Sequence, residues 1–451
     1  MSIKIDMHNI KLKPTQVLVI GFATIILIGG LLLNLPIASQ NGESVGFINA
    51  IFTATSAVCV TGLSVVDTGT YWTAFGKTVI LFLIQIGGLG FMTLATMFFI
   101  ILGKKISLKE RLIIQEAFNQ STLAGLVRFS KYVLIVTFAV EGLGALFLSL
   151  RFIPQYGWIT GMAYSIFHSV SAFCNAGFDL IGNGKNLMPY VSDPIVSLTV
   201  SFLIIIGGIG FSVITDVFTN KKLRKLSLHT KMALLITALL LTIGTIGFIV
   251  LEWRNPDTLG NLNLGGKFLS GFFQSVTVRT AGFNTVDFAQ MRTASKLLAI
   301  ILMYIGGSPA STAGGIKTTT LGVILFTIIS VIKGKSETEL FRRRISRDIV
   351  NRAITIAIIG IFLIIFVTMI LSITDSQFNF MEILFEVVSA FGTVGLTLGI
   401  TPLLSALGKT LLIFMMFAGR VGILTIAFAL ARQQHKYKGN IKYPEGKILV
   451  G

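Results

Sequence analysis

Charge is scarce in this chain. Only 12% of its 451 residues are Asp, Glu, Lys or Arg, about half of the roughly 25% typical of soluble globular proteins. So few charges cannot clothe a chain that is 53% hydrophobic, which excludes a soluble multidomain protein. Two cysteines (Cys59 and Cys174) and four histidines make neither a disulfide framework nor a metal-ligand spacing. Ser/His/Asp triads, paired carboxylates and phosphate-binding loops are missing too, so an enzyme is not expected. Acidic residues are scarcest: 19 Asp+Glu stand against 37 Lys+Arg, for a net charge of +18. In a soluble protein that balance would suggest nucleic acid. Here the basic residues fall in short clusters between apolar spans, the pattern that orients membrane proteins, and no nucleic-acid partner is expected.

Apolar runs fill the space that charge leaves. A spanning helix needs about 20 apolar residues, and such runs lie near 16–36, 72–103, 132–152, 193–219, 230–252, 293–332, 352–373 and 404–431. Between the members of each pair sits a shorter apolar piece, at 47–58, 161–173, 267–278 and 380–391. Each would form a helix of about 16–20 Å at 1.5 Å per residue, too short for a hydrocarbon core of about 30 Å. The expected fold is therefore an all-α polytopic membrane protein of four span–pore-loop–span repeats. Eight transmembrane helices and four re-entrant half-helices would surround one pseudo-four-fold pore. The repeats divide at 1–103, 104–220, 221–333 and 334–432, with a polar tail at 433–451. Lys11 and Lys13, Lys104 to Lys131, Lys221 to Lys231, Lys333 to Arg352 and the tail all fall on one side of such a fold. That places both termini in the cytoplasm and brings the half-helices in from outside.

The half-helices end alike. Each carries a Phe (Phe52, Phe167, Phe273, Phe385), then a Ser or Thr, then small residues closing on Gly62, Gly177, Gly282 or Gly395. The Phe-to-Gly spacing is ten residues in three repeats and nine in the third. Non-helical backbone at membrane depth is tolerated only where it is buried or lines a water-filled cavity, and glycine supplies positive φ. Four such loops could turn their carbonyls to a common axis, as rings of carbonyls do when they replace a potassium ion's hydration shell. The half-helix C-termini would add partial negative charge below that ring.

The sixth run is abnormal: 292–332 is about twice the length a bilayer needs. In its middle lies Gly306-Gly307-Ser308-Pro309-Ala310-Ser311-Thr312-Ala313-Gly314-Gly315-Ile316-Lys317. Proline and glycine should break the helix there and leave a flexible plug. Shorter glycine breaks (Gly87-Gly88, Gly207-Gly208, Gly419-Arg420) occupy the equivalent places and read as hinges or packing points. Arg420 lies mid-span, where a charge costs at least ~2.5 kcal/mol and faces an interior partner. Arg279 stands three residues before Gly282, where the other repeats carry Cys59, Cys174 and Gly392; it needs an acceptor, and Glu386 is the candidate. Glu141 and His168 read as packing contacts.

With Val60-Thr61-Gly62, Asn175-Ala176-Gly177, Thr280-Ala281-Gly282 and Thr393-Val394-Gly395 in order, the chain resembles the Trk/Ktr/HKT superfamily of cation transporters over essentially its whole length. It is most similar to the KtrB-type membrane subunits of bacterial potassium uptake systems. The resemblance implies potassium as the transported ion, held by those twelve filter residues. It also implies an intramembrane gating loop at Gly306–Gly315 with Lys317 and Arg420 beside it, and a bacterial plasma-membrane location. Implied partners are a second copy of the chain, membrane lipid, and a cytosolic ring of nucleotide-binding regulatory subunits (KtrA/KtrC-like) that would carry ATP or ADP. No cofactor is expected in this chain itself. Sodium-dependent activation is a further family trait. The competing reading, an alternating-access sodium-coupled carrier, calls for inverted repeats, whereas these repeats share one polarity.

Overall fold

A computed structural model describes residues 13–90, 93, 108–117 and 125–430. The 433–451 tail and the Lys104–Lys105 pair lie outside the described residues.

The chain opens with α1 (Pro14–Leu33), whose Pro14 takes the first helical position, where its missing N–H costs nothing. A short helix α2 (Phe47–Val58) and the span α3 (Ala74–Leu89) follow, then a small helix α4 (Leu108–Ala117). The second group is α5 (Leu126–Tyr156), α6 (Trp158–Phe173), α7 (Pro194–Ile209) and α8 (Phe211–Thr219). The third is α9 (Leu228–Glu252), α10 (Leu264–Thr277), α11 (Thr293–Tyr304) and α12 (Thr318–Ile332), followed by the strands β1 (Glu339–Leu340) and β2 (Arg343–Arg344). The last is α13 (Arg347–Thr374), α14 (Phe380–Gly392), α15 (Ala406–Val421) and α16 (Ile423–Leu430).

Side-chain caps fix where several helices begin. Asp193 accepts from Ile195 N at 2.9 Å, Ser227 from Thr230 N at 3.2 Å, Asn263 from Gly266 N at 2.7 Å and Ser405 from Gly408 N at 3.0 Å. Each satisfies one of the donors a helix N-terminus leaves open. Among the described residues, α1, α5, α9 and α13 are each long and apolar enough to cross a membrane, and α7 with α8 would make a fifth span bent by 91°. Their outward faces are apolar and exposed, as with Ile135, Phe138, Leu146 and Phe147 of α5. That is the surface lipid requires, and the chain is a multi-pass membrane protein.

The short helices α2, α6, α10 and α14 are the interior. Their last turns are buried although they carry Thr55, Ser56, Ser169, Ser171, Gln274, Ser275, Thr277, Glu386 and Ser389. Each packs on an apolar helix of the preceding group: α6 on α3, α10 on α7, α14 on α11, and α2 back on α15. That cyclic order closes a ring and leaves the four loops after the short helices at its centre.

Candidate ion pathway

The recurrent Ser or Thr explains how each loop holds its shape. Ser56 O accepts from Thr61 N at 2.8 Å, Ser171 O from Ala176 N at 2.7 Å and Ser389 O from Val394 N at 2.8 Å. The hydroxyls add a second tie. Gly62 N donates to Ser56 Oγ at 3.0 Å and Gly395 N to Ser389 Oγ at 3.1 Å. Ser171 Oγ donates to Phe178 O at 2.8 Å, and Thr277 Oγ1 donates to Phe283 O. The third loop, one residue shorter, uses Ala281 N to Thr277 O at 3.0 Å instead.

Backbone hand then orients the carbonyls. Val60, Asn175, Thr280 and Thr393 have φ of 52°, 59°, 65° and 50°, and Gly62, Gly177, Gly282 and Gly395 have 97°, 69°, 78° and 87°. A left-handed β-branched residue is an outlier, and here three of the four loops carry one at the same place. The left-handed pairs flank Thr61, Ala176, Ala281 and Val394. A Cβ on Gly62 would lie 2.5 Å from Ala176 O, one on Gly177 2.7 Å from Ala281 O, one on Gly282 2.5 Å from Val394 O, and one on Gly395 would overlap Thr61 O. The carbonyl of each loop thus abuts the glycine of the loop before it, and the fourth closes on the first. All twelve residues of the expected filter lie in this ring.

Above the ring opens a cavity of about 470 Å³ lined by the four glycines and by Asp67, Asp179 and Asp287. The carboxylates also shape the loops. Asp67 accepts from Thr70 N at 3.0 Å and Gly184 N at 2.8 Å, Asp179 from Ile181 N at 3.0 Å, and Asp287 from Ala289 N at 2.9 Å. Burial, with Asp67 nearby adding negative charge, pushes the Asp179 carboxyl up to about 6 against the pull of its backbone donors. Among the described residues no three His, Cys, Asp or Glu side chains stand close enough to hold a metal together. Motif reasoning passes over them, although two stand five residues after a filter glycine.

Below the ring lies the broken helix. Residues 305–317 leave helical geometry between α11 and α12, and their ends are pinched by Gly306 N to Ile316 O at 2.8 Å and Thr318 N to Gly307 O at 3.0 Å. The glycine breaks of the other groups hold the loop between those ends. Ser308 N donates to Gly208 O at 2.9 Å, Thr312 N to Gly207 O at 3.2 Å and Gly315 N to Gly419 O at 3.2 Å. Arg420 donates to Thr312 O and Gly87 O, and at 3.3 Å to Gly88 O, tying loop, α3 and α15 together. Lys317 Nζ turns back to Ala313 O at 2.6 Å. Thr312 Oγ1 donates to Phe173 O at 3.2 Å and stands 3.3 Å from the Asn175 amide, and a Cβ on Gly314 would collide with the Thr393 side chain. The loop therefore touches residues of the four-loop ring directly. A second cavity, of about 250 Å³, opens beneath it and is lined by Pro309 to Ser311, Lys317 and Arg420.

One expected contact is corrected. Arg279 and Glu386 are both buried, yet they make no ion pair with each other. Arg279 NH2 reaches Thr237 Oγ1 at 3.5 Å and the side chain lies among Ile204, Ile205, Gly208 and Leu241, because α10 packs on α7 of the preceding group. Glu386 instead accepts from Thr401 Oγ1, propping the chain just beyond Gly395. Glu141 accepts from Gln85 Nε2 at 3.1 Å across α5 and α3. His168 joins Tyr164 O at 2.7 Å to Leu180 N at 3.3 Å, a packing role. Cys59 and Cys174 are buried and free.

Comparison with known proteins places this geometry among transporters. Residues 12–439 match the model of a family described as TrkH, cation transport protein. The chain is 48% identical to the Ktr system potassium uptake protein B of Bacillus subtilis over 98% of both chains. It is 45% identical to the potassium/sodium uptake protein NtpJ of Enterococcus hirae, again over 98% of both. A crystal structure of the potassium transporter TrkH from Vibrio parahaemolyticus shares the fold at a TM-score of 0.72 and 18% identity, covering 94% of this chain and 86% of that one.

Proposed function

The chain belongs to the TrkH family of cation transport proteins, and from that premise we propose that it carries potassium into a bacterial cell through one channel-like pore. The observation that supports this most is the closed ring of four loops, each with a left-handed residue on both sides of an axial carbonyl. In this reading α1, α3, α5, α7–α8, α9, α11–α12, α13 and α15–α16 are eight spans, and α2, α6, α10 and α14 are half-helices entering from outside. Both termini are then cytoplasmic, and the basic loops face the cytosol.

A cation leaves water in the acid-lined outer cavity and trades its hydration shell for carbonyls of the ring. Four helix C-termini aim their partial negative charge at the space below. The membrane potential, about 2.3 kcal/mol per charge per 100 mV, pulls the ion inward without hydrolysis in this chain. The loop from Gly306 to Gly315 closes the path beneath the filter, with the Arg420 and Lys317 side chains bonded to its carbonyls, and it must move for an ion to pass. Charge-assisted hydrogen bonds contribute about 1.5–3 kcal/mol each, so opening needs an outside source of work. A cytosolic ring of nucleotide-binding subunits docked on the basic loops, around a homodimer of this chain, would supply it.

The test is potassium uptake into potassium-depleted cells that lack their own uptake systems, comparing the natural chain with Gly62→Ser, with membrane yield measured for both. Uptake by the natural chain and sodium entry through the variant support the filter. Normal membrane yield with unchanged potassium preference in Gly62→Ser would move the alternating-access sodium-coupled carrier ahead.

A further inference from the structure

The turn after the gate helix carries a second set of strained residues. At the end of α12, Gly334 (φ 67°) reverses the chain and Lys335 N donates to Ser330 O at 2.9 Å. The chain then runs back beside the helix. Thr338 Oγ1 stands 3.0 Å from Thr327 Oγ1, and Glu339 N donates to Ser330 Oγ at 3.4 Å. Thr327 precedes the helix end by five residues, about 7–8 Å along its axis. The hairpin β1–β2 therefore lies against the side of α12 and does not project beyond its end. Leu340 and Ile345 are buried and seal it there.

Its outer face is built differently. Glu339 pairs with Arg344 and Leu340 with Arg343 in the ladder, so Phe341 and Arg342 form a two-residue turn with φ of 47° and 61°. Such turns call for positive φ at both positions and favour Asn-Gly; a bulky residue there is an outlier. Strain of this kind is retained where the side chains themselves are needed. Phe341 is half exposed, and the helix the hairpin lies against also exposes Ile328, Ile329, Val331 and Ile332. Two of the basic groups are already paired, Lys335 with Glu339 at 2.5 Å and Arg344 with Glu337 at 2.7 Å. Lys333, Arg342, Arg343 and Arg347 are exposed and have no carboxylate partner among the described residues.

We propose that this hairpin is a binding site for an anionic phospholipid, with Phe341 among the acyl chains and Arg342 and Arg343 on the headgroup phosphate. The charge fits, since basic clusters beside a membrane helix bind acidic lipid and the guanidinium fork matches phosphate. The depth fits too, because the hairpin lies back along a helix that spans the bilayer, and the inference rests on that reading of α12. A bound lipid would fix the far end of the helix that begins where the gating loop ends, at Thr318.

The experiment uses the full chain in nanodiscs of phosphatidylcholine alone and of phosphatidylcholine mixed with phosphatidylglycerol. Thermal unfolding and retained lipid, counted by native mass spectrometry, are the readouts. Two variants are compared with the natural chain: Arg342→Gln/Arg343→Gln, and Phe341→Asn/Arg342→Gly, which keeps the turn and relieves its strain. Phosphatidylglycerol should raise the natural chain's midpoint, and both variants should lose most of that rise, each measured from the same chain's own midpoint in phosphatidylcholine, and most of the retained lipid. An equal rise in all three chains overturns the site. So does a variant that keeps the lipid response but releases a bound acidic cytosolic protein, which would make the hairpin a protein-docking point. Neither readout involves potassium, so failure of the lipid site and failure of the pore reading are separable.

Discussion

The two sides of the four-loop ring are built from opposite materials. On one side, a cavity of about 470 Å³ is lined by three carboxylates, Asp67, Asp179 and Asp287. On the other, the loop from Gly306 to Gly315 lies against the ring, and the basic groups beside it are Arg420 and Lys317, both turned onto carbonyls. In the proposed mechanism the first side costs a cation little to enter. The second side, in that same mechanism, stays shut until the loop and its two basic side chains move. A similar contrast separates the breaks in the spans. Gly210 and Gly422 each break a helix at one residue with φ of 98° and 92°, whereas the third group spreads its break over a loop with pinched ends. A single glycine makes a fixed corner. A loop tied by a few hydrogen bonds to its neighbours is, in the proposed mechanism, the part that leaves.

That contrast is most strongly broken by excising Ala310–Ala313. The ends of the loop are held by their own hydrogen bonds, Gly306 N to Ile316 O and Thr318 N to Gly307 O, so the variant should still fold. Rubidium flux into proteoliposomes without any partner should rise roughly a hundredfold, the worth of about two charge-assisted bonds. Arg420→Gln should give about a tenfold rise in the same assay, since one such bond is worth ~1.5–3 kcal/mol. Combined with the excision it should add almost nothing, because the two share one contact. Thr312→Val removes the hydroxyl contacts to Phe173 and Asn175, and a neutral bond of about 1 kcal/mol sets its effect at roughly fivefold.

The outer side gives the smallest effect and the clearest sign. Asp179, pushed up to about 6 by burial, is ionised above that pH and neutral below it. Lowering the external pH from 7 to 5 should raise the KM for potassium about twofold, the worth of one charge some 10 Å away in water. Asp179→Asn should show the higher KM at both pH values and no dependence between them.

Much of this architecture is legible in the sequence alone. The short buried helices fall at Phe47–Val58, Trp158–Phe173, Leu264–Thr277 and Phe380–Gly392, because amphipathic length and the closing glycine are local properties. The break around Gly306–Lys317 is legible for the same reason. What spacing cannot supply is which group faces which. Arg279 and Glu386 stand at nearby places in two repeats, but the ring order sets α10 against α7, so the arginine meets Thr237, Ile204 and Leu241 instead of the carboxylate. The contact of Thr312 with Asn175 and the fold-back of the Arg342 hairpin onto Thr327 are likewise long-range facts with no periodic signature. The outer acids are visible as letters, but their convergence on one cavity depends on the same closure.

The most direct test of the central claim replaces Gly62, Gly177, Gly282 and Gly395 by serine one at a time and measures potassium and sodium flux through each variant in proteoliposomes. A single ring predicts that every replacement, whichever loop carries it, erodes the preference for potassium, because each glycine abuts a carbonyl of the next loop. Well-folded variants in which three of the four positions leave that preference intact would contradict it.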